Sequence, residues 1–380
     1  MRLPLMLVVL AAIAAPLFAA EPVKVSFKKS QLDAKFRSEG VAVADFNRDG
    51  KLDVAAGSVY YTAPDWQMHN VLEQPQEFDP KGYSPSFCNF SEDLNHDGWA
   101  DLIVVDFPGQ QTWWFENPKE AGGAWTKREC VPVTNNESPT YLDVFGDGLR
   151  RLVFATGDQM ALALPQADSA SAWLIQTISE PKAPGTERYS HGLGVGDVNK
   201  DGRQDVVVAQ GWWENPAESD KPAKWTFHPA PFAESVSNMH VYDFDGDGDN
   251  DVLSSSAHAF GIWWSEQTPD GWKQHEIDRS FSQTHSMCLA DMNGDGLADF
   301  VTGKRWWAHA QGDPGVDEPA VLFWFELTRK DGRPVWIPHQ IDHDSGVGTQ
   351  FEVVDTNDDG LLDVVTSSKK GTFVHTQSRE

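Results

Sequence analysis

Cysteine is nearly absent from this 380-residue chain: Cys88, Cys130 and Cys288 are the only three. An odd count of three excludes a disulfide framework, and the apolar runs around Cys88 and Cys288 predict buried free thiols. Long hydrophobic runs are missing too. Residues 3–18 form an apolar stretch behind Arg2 and before the small pair Ala19-Ala20. That is the pattern of a signal peptide over 1–20, and nothing after it reaches the 18 or so apolar residues of a membrane span. Basic residues are scarce, 30 Lys and Arg against 57 Asp and Glu, for a formal charge of −27. Such a balance excludes a nucleic-acid polyanion as partner. No Ser-His-Asp signature, glycine-rich phosphate loop or Cys-x-x-Cys pair occurs. The sequence therefore predicts an exported protein, secreted or periplasmic, soluble and monomeric, with one domain over 21–380.

What the chain does have is a repeated acidic loop. Residues 243–251 read DFDGDGDND, with Asp243, Asp245, Asp247 and Asp251 at positions 1, 3, 5 and 9 and Gly248 at position 6. Four carboxylates in nine residues repel one another unless a hard cation lies between them. Calcium takes six to eight oxygen ligands, and glycine at position 6 allows the turn that returns the late ligands. Five further copies carry the same offsets: Asp45, Asn47, Asp49, Asp53; Asp93, Asn95, Asp97, Asp101; Asp197, Asn199, Asp201, Asp205; Asp291, Asn293, Asp295, Asp299; and Asp355, Asn357, Asp359, Asp363. A seventh, at 143–151, keeps Asp143, Asp147 and Gly148 but has Phe145 at position 3 and Arg151 at position 9. It is expected to hold no metal, with the guanidinium pairing to Asp143 or Asp147.

EF-hands share this opening but need an acidic residue at position 12. Here that position holds Ala56, Val104, Val208, Ser254, Thr302 and Thr366. Ordinary Asp-Gly turns need one such dipeptide, not four oxygen-bearing residues six times over. Six bound Ca2+ would bring the formal charge of −27 to about −15. Much of the acidity is thus metal-site chemistry.

The loops start 48, 50, 54, 46, 48 and 64 residues apart, and self-similarity at such a period means a repeat architecture. Short β-rich runs flank each loop, giving strands A and B. A third strand, C, carries aromatic pairs such as Trp113-Trp114, Trp212-Trp213 and Trp263-Trp264. A fourth, D, carries Trp66…His69, Trp125…Arg128, Trp225…His228, Trp272…His275 and Trp336…His339. Four short strands per repeat is the grammar of a propeller blade. The last repeat lacks strand D, and residues 25–33 resemble one. The prediction is an all-β, seven-bladed propeller closed by its N-terminal strand.

DFNRDGKLD, DVNKDGRQD, DFDGDGDND and their kin resemble the FG-GAP/VCBS repeats, calcium-binding propeller blades also found in integrin α-chains. That resemblance spans about 45–371 and implies the same fold and calcium loops between strands A and B. More weakly, the layout resembles propeller enzymes acting on sugars, such as aldos-2-ulose dehydratase and some polysaccharide lyases.

With the calcium loops on one face, the starts of A and the B–C turns share the other. That set includes Glu39, Glu137, His191, His240 and His285 from the A starts. The B–C turns add His258, Lys304, Arg305, His309 and Lys369, several of them in the long connection 305–319. Imidazoles, amines and indoles suit a carbohydrate, because aromatic faces stack on sugar rings and His or Lys can take the proton beside a carbonyl. Two or three of the histidines could instead hold a transition metal. The expectation is recognition of a carbohydrate or an extracellular protein ligand on this face. The alternatives are a sugar lyase or dehydratase using His191, His240, His258, His285, Lys304, Arg305 and His309, and a non-catalytic interaction scaffold. The D-strand histidines and most tryptophans are expected to be structural.

Overall fold

The computed structural model describes residues 24–166, 172–217, 224–233, 236–309 and 312–379. The N-terminal 1–20 segment read as a signal peptide lies outside them. Apart from one 3-10 turn, Lys119–Ala121, the described regular structure is entirely strand. Twenty-eight strands form seven antiparallel four-stranded sheets. Six are consecutive in sequence. The first is β2 (Ala42–Ala44), β3 (Asp53–Ala56), β4 (Val59–Thr62) and β5 (Gln67–Asn70). In the seventh, β26 (Phe351–Val354), β27 (Asp363–Ser368) and β28 (Gly371–Arg379) are completed by β1 (Val25–Asp33). Strand β1 pairs with β28 from Val25 opposite Arg379 to Asp33 opposite Thr372. This is the predicted seven-bladed propeller, closed by its N-terminal strand, which covers the edge that β28 would otherwise expose.

Each acidic loop joins strands A and B, as between β2 and β3, where Val43 pairs with Val54. The A strands line the axis and the D strands the rim. B strands are buried end to end, as in Asp101–Val105 and Asp299–Gly303, because both their faces are covered by neighbouring blades. Hydrophobic clusters accordingly bridge blades; one joins Val54 and Tyr61 to Val301, Trp324, Val364 and Val374. Near the axis the blades converge so closely that side chains no longer fit. A Cβ on Gly194, in β14 (Leu193–Gly196), would stand 2.1 Å from the Met239 carbonyl oxygen.

The tryptophan and histidine signatures are packing units, as expected. His228, His275 and His339 on strand D stack on Trp212, Trp264 and Trp324 of strand C, with ring centroids 4.3–4.5 Å apart. Each also meets a strand-C carboxylate, Glu214, Glu266 or Glu326, at 2.7–2.8 Å. His69 stacks on Tyr60. In the second blade Arg128 replaces the histidine, lying over Trp114 and bonding Glu116. The three cysteines are free thiols; Cys88 and Cys130 are buried and Cys288 half-buried.

Candidate functional site

On one face the acidic loops share one hydrogen-bonding plan. Asp45 accepts from the amides of Asp49 and Gly50, Asn47 from Asp49, and Asp49 from Lys51. Position 6 has φ between +80° and +109° in all seven copies, a conformation that demands glycine. The position-9 carboxylates do a second job. Asp53 accepts from Phe46 within its loop and from Ala63 at the end of strand C. Asp101, Asp205, Asp251, Asp299 and Asp363 repeat this with their own loop and strand C. A carboxylate has about four lone-pair sites, so two amides leave it able to take a cation as well. Burial, with neighbouring loop carboxylates, pushes Asp101, Asp251 and Asp299 up to about 7 and Asp53 and Asp205 up to about 6. The oxygens of Asp243, Asp245 and Asp247 lie within 4.8 Å of one another. Such a donor set, all oxygen and strongly anionic, fits a calcium ion.

The seventh loop carries its own cation. Arg151 donates two bonds to Asp147, at 2.7 and 2.9 Å, and one to the Leu149 carbonyl, and its guanidinium lies 4.5 Å over Phe145. The expected internal pairing is present, with Asp147 as the partner.

The opposite face is built from the same repeat. Six residues before each loop's first aspartate stand Glu39, Phe87, Glu137, His191, Ser237, His285 and Thr349, one per blade. Where strand A begins, the blades are close enough for these side chains to meet across the axis. His191 Nε2 lies 3.2 Å from Glu137 Oε2 and 3.2 Å from His285 Nε2. His285 Nε2 is 3.1 Å from the same carboxylate oxygen. The B–C turns add His258, whose Nε2 is 2.9 Å from His191 Nε2, and Arg305, which bonds Glu39 and stands 3.8 Å from Glu137. Asp313 accepts from both His258 Nδ1 at 3.2 Å and His309 Nδ1 at 3.1 Å.

Charges in this group follow from burial. His285 is fully buried, and burial with Arg305 beside it holds the imidazole well below its ordinary value. Burial, with His191 and His309 close by, pushes His258 down to about 4. Burial opposes the Glu137 carboxylate, but bonds from His191 and His285 outweigh it and hold the group well below its ordinary value. Glu39 and Arg305 form a buried ion pair. At neutral pH the centre therefore holds neutral His285 and His258 beside ionised Glu137.

Of the predicted residues, His191, His258, His285, Arg305 and His309 are brought together. Lys304 is fully buried, with Glu318 and Asp313 the nearest opposing charges. His240 is engaged elsewhere, its Nε2 meeting the Met287 carbonyl oxygen at 2.9 Å. The reason is register: His240 lies three residues before its loop rather than six, and blade five's residue at the sixth place is Ser237. Two participants outside the catalytic set read from sequence are Glu137 and Asp313. Phasing the repeats on the loops finds Glu137; Asp313 carries no signal beyond its place in the long connection.

Around this centre runs an aromatic rim. Tyr83, Phe107 and Tyr189 form a chain with centroids 5.5 and 5.8 Å apart. Tyr83 and Tyr189 are 37% and 45% exposed. Lys369 lies 4.3 Å over the Tyr83 ring, and burial lowers its amine to about 8.

Residues 243–302 match the family model of the FG-GAP-like repeat. This stretch is similar to an FG-GAP-like repeat. It runs from the acidic loop of blade five into β23 (Asp299–Gly303) and includes a second loop, so the resemblance seen in the loop sequences holds here. Three solved structures resemble the chain in fold. A lectin of Agrocybe aegerita, described as specifically recognising non-reducing terminal N-acetylglucosamine, is 13% identical with a TM-score of 0.50, over 93% of this chain and 86% of that one. A catalytically inactive virginiamycin B lyase of Staphylococcus aureus with quinupristin is 13% identical, TM-score 0.49, over 93% and 99%. A Lactobacillus plantarum protein is 11% identical, TM-score 0.49, over 84% and 88%. At these identities the likeness is one of fold. No curated protein matches the sequence. No helix among the described residues is long and apolar enough to cross a membrane.

Proposed function

We propose that this is an exported, calcium-binding propeller that recognises a carbohydrate on the face opposite its calcium loops. One observation carries the reading: two tyrosine rings, Tyr83 and Tyr189, stand partly exposed around a charged, hydrogen-bonding centre. A partly exposed amphipathic ring suits the apolar face of a sugar, and the few converging polar groups, Lys369 over Tyr83 and Arg188 over Tyr189 among them, supply orientation. The lectin neighbour shares the fold; the rim, not the fold, supports the ligand class. In the calcium loops Asp45, Asp93, Asp197, Asp243, Asp291 and Asp355 with their partners would hold the ions, which tie strand A to strand B and fix the disc.

A second reading, a sugar lyase or dehydratase, draws support from Lys369. Its amine, lowered to about 8, is deprotonated at mildly alkaline pH and lies beside the Tyr83 ring where a stacked sugar would sit. Both readings are tested by one screen. Calcium-loaded protein is presented to neutral, oxidised and acidic glycans, with binding and the absorbance of a new double bond followed together. Binding that weakens about tenfold or more in Tyr83→Ala and Tyr189→Ala, without turnover, supports recognition. Turnover abolished by Lys369→Met supports the enzyme. Absence of both binding and turnover, or binding that neither tyrosine variant weakens, overturns the carbohydrate reading.

A further inference from the structure

We infer that the axial end of the propeller is a binding site for one divalent first-row transition ion, held by His191, His258, His285 and Glu137. The four donors come from four different blades, and each ring presents the same nitrogen, Nε2, to one point. Neighbouring donor atoms stand 2.9–3.2 Å apart. Ligands about 2.0–2.1 Å from a shared ion at tetrahedral to octahedral angles stand roughly 2.9–3.4 Å from one another, so the spacing is that of a coordination shell.

Protons alone do not satisfy this arrangement. His191 Nε2 has three close partners, His258 Nε2, His285 Nε2 and Glu137 Oε2, and can carry one hydrogen. Whichever nitrogens carry hydrogen, at least one close pair is left with two lone pairs facing or two hydrogens opposed. A cation at the centre accepts all four lone pairs at once. Burial raises the stakes, because His285 is fully buried and its Nδ1 has no hydrogen-bond partner among the described residues.

The surroundings have the form of an outer shell. Asp313 accepts from His258 Nδ1, which fixes that ring with Nε2 turned inward, and Arg305, anchored by Glu39, flanks the Glu137 carboxylate. Three imidazoles and one carboxylate select a borderline-soft ion such as zinc, cobalt, nickel or iron(II), in contrast to the oxygen-only loops on the other face. Four protein donors leave room for an exogenous oxygen if the ion takes five or six ligands, next to the exposed His309 and Tyr83. The inference does not rest on the carbohydrate reading, since metal binding is measured without any sugar.

The test uses the full chain with calcium in large excess, so that the acidic loops are filled, and cobalt(II) as the probe. One equivalent of cobalt should bind and give the intense visible absorption of an ion with nitrogen ligands, distinct from the faint band of an all-oxygen octahedral ion. His191→Ala and His258→Gln should each weaken this more than about a hundredfold, and Asp313→Asn by about 10–100-fold. His258 is partly exposed, so its variant tests the site even if changes at buried His285 disturb folding. Retained calcium stability with no cobalt spectrum in the parent protein overturns the inference. So does cobalt binding that survives both His191→Ala and His258→Gln.

Discussion

Arg151 shows how one residue can replace an ion. In the third blade the guanidinium occupies the place of the ninth-position carboxylate and bonds Asp147 through both oxygens, while Phe145 gives it a ring to lie over. The loop closes with an internal positive charge. Hydrogen bonds from Arg151, against a smaller effect of burial, hold the Asp147 carboxyl down at about 2. A carboxylate depressed in the folded state stabilises above its unfolded value and loses that contribution as pH falls through the folded one. The pair should therefore be fully effective above about pH 4 and largely lost near pH 2. Because Asp147 is well exposed, Arg151→Leu should cost only about 0.2–1 kcal/mol at neutral pH. Urea unfolding at pH 7 and at pH 2 checks this: the variant's deficit should shrink to a small fraction at the lower pH, and a deficit equal at both would refute the pairing as its source.

At the level of the element, the strand C–D unit is the most repeated device after the loop. A tryptophan face, a histidine stacked on it and a carboxylate bonded to the histidine recur in blades four, five and six. His339→Ala should lower stability by about 1 kcal/mol and leave ligand and cobalt binding on the far face unchanged. Calorimetry with a binding titration would show it; a loss of cobalt binding would mean the blades transmit more than packing. Gly194→Ala, by contrast, would force β14 away from Met239 and should cost about 1–3 kcal/mol. These elements are legible because their signals are local: fixed offsets in nine residues, adjacent aromatic pairs, a Trp–x–x–His tetrad. The axial centre was only half legible. His191 and His285 stand out by residue type and position, whereas Glu137, placed on the same face by the repeat, carries no sign of chemistry in an acidic chain until the blades are put in register. His240 was misplaced for the same reason, as a shift of three residues along strand A sends a side chain to a different depth and neighbour. Asp313 comes from an irregular connection, where no period predicts which side chain turns inward.

For the whole molecule, closure is one constraint and the proposed calcium loops would be a second. Strand β1 supplies the outer strand of blade seven from the far end of the chain, and deleting 23–32 should expose β28 and produce aggregation. A deletant that stays monomeric and melts like the parent would show that closure contributes little. On the proposed reading, calcium would act on every blade but the third. At a typical extracellular affinity of roughly 0.1 mM and about 1 mM calcium, each loop contributes roughly 1.4 kcal/mol, and six about 8 kcal/mol. Thermal unfolding of the calcium-loaded protein, set against the same protein stripped by a chelator with metal removal confirmed, tests this most directly. The account predicts a large fall in melting temperature that added calcium restores; an unchanged melting curve would contradict it.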